Sequence, residues 1–245
     1  MKAMIFAAGL GTRLKPITDN IPKALVEVQG IPLLEIAIKK LLASGCKDII
    51  VNIHHYGNQI VEFLEEKHYF HANIEVSDET EMLLETGGGL WKARDFLDGW
   101  EPFLVCNVDV VSNIDLGEML RWHKEQQALA TLAVSHRNTS RYFLFDEDMR
   151  LSGWENTKEG KRLIVRSPEK PLQHFAFSGI HIIEPDIFPM INEKGRFSIT
   201  DVYLKLAAEQ KILGYDHTGR FWMDLGKPAD LATAASIDMN DVMKA

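Results

Sequence analysis

Short apolar runs alternate with segments of helical periodicity from the N-terminus to about residue 135, and this alternation limits the folds open to the chain. Apolar runs at residues 3–7, 48–54 and 102–108 suit strands buried on both faces of a sheet. The helical segments between them suit crossover connections. The pattern therefore predicts βαβ units that build a mainly parallel sheet.

Other elements follow from the same periodicities. The spacing of apolar residues predicts helices that begin near residues 32, 59, 86, 199 and 228, the third of them over 86–96. Further strands are predicted at 73–76, 175–183 and 221–223. Beyond residue 136 the pattern changes to short strand-like pieces at 142–145, 151–154 and 163–165, which predict a small β-rich insertion. No Gly/Ser-rich or Pro-rich linker divides the chain, which favours a single domain.

Charge and composition exclude several classes of function. The 245 residues carry a formal net charge of −8 and no basic run, so a nucleic acid partner is disfavoured. Nowhere do about 18 apolar residues run together, and no membrane span is predicted. Cys46 and Cys106 show no metal-binding spacing and indicate reduced thiols, hence a cytoplasmic protein.

A glycine-rich loop follows the first predicted strand. Glycines at positions 9 and 11 let the backbone approach a ligand and turn its N–H groups towards bound phosphate. The dinucleotide fingerprint fails because Leu14 occupies its last glycine position, and the P-loop fails because no Gly-Lys-Ser/Thr follows. Arg13 and Lys23 add two cations, an arrangement suited to a triphosphate whose charge grows on leaving pyrophosphate.

The string AGLGTRL at residues 8–14, followed by PIT at 16–18 and PKAL at 22–25, resembles the signature of sugar-1-phosphate nucleotidyltransferases. The N-acetylmuramate-1-phosphate uridylyltransferases and mannose-1-phosphate guanylyltransferase-like members are most similar. The resemblance implies a Rossmann-like three-layer α/β fold with a mainly parallel mixed sheet. It also implies a single domain over residues 1–245, with a nucleotide-binding part at about 1–135 and a sugar-binding part at about 136–220.

The same resemblance assigns roles to the loop. Arg13 and Lys23 would contact the nucleotide phosphates, and Arg13 would assist the departure of pyrophosphate. Arg13, Lys23 and Asp109 are the predicted catalytic residues. The backbone predicted to bind the nucleotide comprises Ala7, Ala8, Gly9, Gly11 and Thr12. The alternative is a glycine turn flanked by solvated cations.

A second glycine-rich stretch, ETGGG at residues 85–89, precedes a predicted helix, although each glycine inside a helix costs roughly 1 kcal/mol. In the family the matching loop contacts the nucleobase and the sugar. The resemblance implies a base contact at Leu83, nucleotide contacts at Thr86 and Gly87, and a sugar contact at Glu85. A helix N-terminus capped by Thr86 is the alternative.

Two further segments resemble the sugar site of the family. In FSGIH at residues 177–181, Ser178 and Gly179 would face the sugar. In EKP at 169–171, Glu169 and Lys170 would hold the sugar and its phosphate. The second match sits unusually close to the first, and charges on a surface turn are an equal alternative.

Carboxylates at strand ends predict a metal site. Asp109 follows the apolar strand at 103–108, and Asp224 follows a second apolar stretch in WMDLG. Mg²⁺ prefers carboxylate, phosphate and water oxygens, so both aspartates are predicted ligands. Asn107 is a predicted nucleotide or sugar contact. The family usually has glycine where this chain has Val108, and strand-end aspartates commonly serve only as turn residues.

The resemblance implies transfer of a nucleoside monophosphate from a nucleoside triphosphate to a sugar 1-phosphate. A uridylyltransferase acting on N-acetylmuramate 1-phosphate or a related hexose 1-phosphate is favoured, because the LETGGG form at residues 84–89 resembles the uridylyltransferase branch of the family. The alternatives are a mannose-1-phosphate guanylyltransferase, a non-catalytic sensor of nucleotide sugars and a glycosyltransferase of similar topology. A monomer or a homodimer is expected.

Overall fold

Strands and helices alternate along most of the chain. The structure is a computed structural model, and it describes residues 1–167 and 169–243. The strands found in those ranges are β1 (Lys2–Phe6), β2 (Glu27–Val28), β3 (Ile31–Pro32), β4 (Asp48–Ile53), β5 (Asn73–Asp78), β6 (Phe103–Asn107), β7 (Val110–Ser112), β8 (Ala130–Ser135), β9 (Arg141–Phe145), β10 (Leu151–Asn156), β11 (Lys161–Ile164), β12 (Gln173–Ile183), β13 (Ile212–Asp216) and β14 (Trp222–Asp224).

The helices link these strands. In the same ranges the α-helices are α1 (Leu33–Ala43), α2 (Gly57–Glu66), α3 (Glu85–Lys92), α4 (Arg94–Leu97), α5 (Leu116–Gln126), α6 (Ile199–Leu206), α7 (Pro228–Ala234) and α8 (Met239–Val242). Short 3-10 helices lie at Thr12–Leu14, Ile17–Asp19, Lys23–Leu25, His68–His71 and Pro185–Met190. None of the described helices is both long enough and apolar enough to cross a membrane.

One large mixed sheet runs through the molecule. Its main path has the strand order β11-β10-β9-β12-β6-β1-β4-β5, and β8 joins β12 to β13. The pairings of β1 with β4 and β6, and of β4 with β5, are parallel, whereas β12 runs antiparallel to β6. The predicted mixed sheet with mainly parallel central strands is confirmed. The predicted β-rich segment forms β9, β10 and β11, which extend the sheet on its antiparallel side.

Two hydrophobic cores lie on opposite faces of the sheet. Successive side chains of a strand point to opposite faces, so Ala3 and Ile5 of β1 enter one core and Met4 enters the other. Helices α1, α2 and α5 cover the first face, and α3, α4 and α6 cover the second. Because the central strands are buried on both sides, their sequences are nearly continuous apolar runs. The resulting arrangement has three layers.

Two predicted elements need correction. The helix predicted over 86–96 is two helices, α3 and α4, because Ala93 adopts ψ near 0° and ends the first. The strand predicted at 221–223 lies one residue later as β14, because Trp222 pairs with Ser112 and Asp224 with Val110 in a two-stranded ribbon. The second shift places Asp224 inside the strand pairing and not after it.

Candidate functional site

A cleft of about 490 Å³ opens at the carboxyl edge of the parallel strands. Loops that follow β1, β5 and β6 form its walls, as expected for ligand sites in open α/β sheets. The lining residues are Phe6, Ala7, Ala8, Gly9, Leu10, Gly11, Thr12, Arg13, Lys23, Asn52, Glu79, Leu83, Glu85, Thr86, Asn107, Val108, Asp109 and Gly226. The structure therefore brings most of the predicted site residues into one cavity.

Asn52, at the end of β4, fixes the start of the glycine loop. Its Oδ1 accepts hydrogen bonds from Ala7 N (2.7 Å) and Ala8 N (3.3 Å). Its Nδ2 donates to Glu79 Oε1 at 2.7 Å, and Glu79 Oε2 accepts from Leu84 N at 3.1 Å. The N–H groups of Ala7 and Ala8 are thus used internally. An anion bound by this loop would therefore meet the N–H groups beyond Ala8.

A compact charge cluster stands at the other end of the cleft. Lys23 Nζ contacts Asp109 Oδ2, and both side chains are largely buried at 11% and 14% exposed. Arg13 Nη2 lies 4.0 Å from Asp224 Oδ2, with the Arg13 side chain more than half exposed. Arg13 is therefore free to move towards a ligand, whereas Lys23 is held against Asp109.

The two aspartates form a paired carboxylate site. Burial, followed by the neighbouring charge of Asp109, raises the pKa of Asp224 above its usual value. Asp224 Oδ1 is buried and has no hydrogen-bond partner among the described residues. A buried carboxylate oxygen without a partner is costly unless a cation or donor completes it. No third carboxylate, histidine or cysteine of the described residues joins the pair, so a divalent cation held by these two aspartates would need further oxygen ligands from phosphate or water.

The ribbon of β7 and β14 brings these aspartates together. Asp224 is paired across the ribbon with Val110, and Leu225 N donates to Asp109 O at 2.9 Å. Val108, where the family usually has glycine, occupies the turn with its side chain buried and its N–H bonded to Phe6 O at 3.1 Å. The turn therefore accommodates valine.

The ETGGG stretch is used mainly for packing. A Cβ on Gly87 would lie 2.4 Å from the Phe197 ring, and one on Gly88 would lie 2.2 Å from Gly195 O. The bare backbone thus admits the segment before α6, which explains glycines inside α3. Gly87 is buried beneath Phe197 and does not line the cleft.

The polar side chains at the start of α3 have partners of their own. Glu85 Oε1 accepts from Arg196 at 2.7 to 2.8 Å, and Thr86 Oγ1 accepts from Ile199 N at 3.0 Å. Thr86 thus accepts from the first N–H of α6, whose N-cap is Ser198, and does not cap its own helix. Glu85, Thr86 and Leu83 nevertheless line the cleft wall.

Ser178 and Gly179 lie behind the cleft wall. The Ser178 hydroxyl is buried and bonded to His217 Nε2 at 2.7 Å, so it does not face a ligand. Gly179 has φ +73°, and a Cβ there would lie 2.7 Å from Asn107 Nδ2. This glycine therefore lets Asn107 keep its place in the cleft. The Ser178 hydroxyl, which the resemblance predicts to face the sugar, is bonded to His217 in this structure.

Glu169 and Lys170 lie on an exposed turn before β12, where Lys170 forms an ion pair with Glu147. Residues 173–178 of β12 separate this turn from Ser178 by about 16 Å along the strand, at about 3.3 Å per residue. Neither residue lines the cleft. Their placement matches the surface-turn alternative.

Sequence reasoning missed several residues of the site. Asn52 and Glu79 are buried polar residues at the ends of two predicted parallel strands, and that position was the available signal. Trp222 is another, since its Nε1 donates to Ser178 O at 2.8 Å and fixes β14 beside β12. The side-chain contacts that give these residues their roles come from distant parts of the chain.

The chain is similar to known proteins over nearly its whole length. The family model described as "Nucleotidyl transferase" matches residues 2–241. The chain is 31% identical over 252 residues to a mannose-1-phosphate guanyltransferase of Yarrowia lipolytica. It is 32% identical over 253 residues to mannose-1-phosphate guanylyltransferase 1 of Arabidopsis thaliana. Each alignment covers 100% of this chain but 66% of the relative, so the chain spans slightly less than two thirds of these relatives.

A solved structure supports the fold independently. The inositol-1-phosphate CTP transferase from T. maritima superposes with a TM-score of 0.77 at 15% identity, covering 98% of this chain and 95% of that one. Similarity at this identity concerns the fold alone. The family model matches nearly the whole length of the chain, and the chain therefore belongs to the nucleotidyl transferase family.

Proposed function

We propose that the protein transfers a nucleoside monophosphate from a nucleoside triphosphate to a sugar 1-phosphate, giving a nucleoside diphosphate sugar and pyrophosphate. The observation that carries the proposal is the cluster at the end of the cleft, where Asp109 meets Lys23 on one side and Asp224 on the other. Cations and paired carboxylates at the end of a glycine loop suit phosphoryl chemistry on a bound triphosphate.

The chemical step needs no covalent enzyme intermediate. An oxygen of the sugar phosphate forms a bond to the α-phosphorus while the bond from that phosphorus to the β-bridging oxygen breaks. Pyrophosphate leaves with the bonding electron pair. The attacking phosphate is already an anion, so this chain supplies alignment and charge stabilisation.

Individual residues have distinct parts in this proposal. N–H groups of the glycine loop beyond Ala8 bind phosphate oxygens, and Arg13 stabilises the charge that develops on pyrophosphate. Lys23 holds Asp109 in place and contributes charge beside the reacting phosphates. Asp109 and Asp224 would hold a divalent cation, for which we propose Mg²⁺. When bound, the cation neutralises phosphate charge and polarises the α-phosphate.

The choice of nucleotide rests on fewer observations than the choice of reaction. Both sequence relatives described above are guanylyltransferases acting on mannose 1-phosphate, so GTP with mannose 1-phosphate is supported better than the uridylyltransferase suggested by ETGGG. The glycines of ETGGG meet packing requirements, because Gly87 and Gly88 adjoin the segment before α6 and Gly89 adjoins Glu79 and Asn52. They therefore carry little information about the base.

A substrate matrix tests the proposal. Pyrophosphate release should be measured with GTP, UTP, CTP and dTTP against mannose, glucose and N-acetylmuramate 1-phosphates, with and without Mg²⁺. We expect release that requires both substrates and the cation, with GTP and mannose 1-phosphate the best pair. Nucleotide-sugar binding without release in any combination would support a sensor instead.

Arg13→Ala is the corresponding mutational prediction. Arg13 is more than half exposed, so its removal should leave the melting temperature nearly unchanged. Loss of charge stabilisation at the leaving group should lower kcat by about 100-fold. Lys15→Ala, which removes another exposed cation nearby, is the matched control and should keep wild-type kcat. Equal turnover in Arg13→Ala and the wild type would contradict the assigned role.

A further inference from the structure

Arg137 is a cation that the proposed chemistry has not used. It follows β8, and its guanidinium lies 3.9 Å over the ring of Trp222. Nη2 donates a hydrogen bond to Phe177 O. Nε is buried without a partner, and no ion pair joins Arg137 to any described carboxylate. Its charge is fixed in position but not neutralised.

This guanidinium lines a second cavity, of about 630 Å³, together with His136, Asn138, Tyr142 and His174. The His174 ring bonds Glu155 at 2.6 Å, and the Tyr142 hydroxyl accepts from Thr139 N at 3.0 Å. Arg137 is therefore the cavity's unpaired positive group among the described residues. The surrounding walls are polar and suit a hydroxyl-bearing ligand.

Residues 177–179 of β12 contact side chains of both the second cavity and the cleft. Phe177, which accepts from Arg137, lies two residues before Gly179, and Gly179 packs against Asn107 of the cleft. Trp222, beneath the guanidinium, lies two residues before Asp224. Burial lowers the pKa of Arg137, and the nearby Asp224 carboxylate opposes that shift. Arg137 is thus linked through Trp222 to the strand that carries Asp224.

We propose that Arg137 binds the phosphate of the sugar 1-phosphate and that the second cavity holds the sugar. The inference rests on the proposed function, in which a phosphate anion must approach a second phosphate and two carboxylates. That approach requires a cation on the attacking side. Lys170 is paired with Glu147 on the surface, and Lys23 is held by Asp109. A planar guanidinium gives phosphate two parallel hydrogen bonds.

Steady-state kinetics of Arg137→Ala and Arg137→Lys test this role, with Arg162→Ala as a control for the loss of an exposed arginine on β11. Losing a charged hydrogen-bond pair should raise KM for the sugar 1-phosphate by about 10- to 100-fold, with KM for the nucleotide unchanged. Arg137→Lys should recover part of the loss, and millimolar guanidinium chloride should rescue Arg137→Ala.

A purely structural role of Arg137 would give a different kinetic result. If Arg137 only supports Trp222 and Asp224, its loss will lower kcat and raise the Mg²⁺ requirement while KM for the sugar phosphate stays constant. That result would overturn the inference.

Calorimetric titration with mannose 1-phosphate and glucose 1-phosphate separates this inference from the proposed function. If the wild type makes no product but binds the sugar phosphate, and Arg137→Ala does not bind it, the inference stands while the proposed function fails. Absence of binding to wild type, or equal binding to both proteins, overturns it. Arg137→Lys repeats the comparison if the alanine variant does not fold.

Discussion

At the scale of single residues, Asp224 shows a conflict between stability and proposed function. Its carboxylate is partly buried beside Asp109, which raises its pKa, and one of its oxygens has no partner among the described residues. A carboxyl whose pKa is raised on folding is destabilising when ionised at neutral pH. The site therefore keeps a charge that the apo protein would be more stable without.

Asp224→Asn should separate these two effects. Removing the charge should raise the melting temperature measured in EDTA, while turnover should fall by about 100-fold or more because one predicted cation ligand is lost. Asp95→Asn, at a side chain 86% exposed, is the control and should change neither quantity. A variant that is both less stable and fully active would contradict the account.

At the scale of elements, the packing of α3 against the segment before α6 links the cleft wall to the rest of the fold. Gly87 N and Gly88 N both donate to Phe197 O, and Thr86 Oγ1 accepts from Ile199 N. The start of α3 is thus held from the side opposite the cleft. Gly87 and Gly88 are therefore explained by residues 195–197, which are distant in sequence.

Gly88→Ala tests this packing. Alanine usually stabilises a helix by about 1 kcal/mol relative to glycine, but here its Cβ would meet Gly195 O at 2.2 Å. We expect a net loss of about 1 to 3 kcal/mol in the free energy of unfolding, measured with urea. Gly117→Ala in α5, whose Cβ would meet nothing closer than 3.3 Å, should be neutral or stabilising. Equal effects at both positions would argue against the packing role.

The same elements show what sequence could predict. Apolar runs predicted the central strands because they are buried on both faces, and AGLGTRL located the loop because its backbone requirements are local. The two aspartates could be named individually, but their pairing depends on the β7–β14 ribbon. The role of Asn52 depends on contacts with residues 45 positions earlier and 27 positions later. Such contacts leave no local pattern.

At the scale of the whole molecule, buried histidines predict acid sensitivity. His123, His181 and His217 are at most 2% exposed, and burial lowers their pKa values to about 4, about 3 and about 4. The unfolded chain, with histidine pKa values of about 6.5, therefore takes up protons first as pH falls. Their stabilising contribution is complete above about pH 6.5 and is lost below it.

Urea unfolding at pH 7 and pH 5 measures this loss. Each buried histidine should lower the free energy of unfolding by about 2 kcal/mol over that interval. His55 is exposed, so His55→Asn is the control and should keep the wild-type dependence. An unfolding free energy equal at the two pH values would show that these histidines are protonated in the folded protein.

The most direct test of the proposed function follows the α-phosphorus. Nucleoside triphosphate labelled at that position should be incubated with the preferred sugar 1-phosphate and Mg²⁺, with Asp109→Asn in parallel. We predict that wild-type protein transfers the label into a nucleoside diphosphate sugar with one pyrophosphate released per product, and that the variant loses this activity. Label recovered as free nucleoside monophosphate, or remaining in bound triphosphate without turnover, would contradict the proposed function.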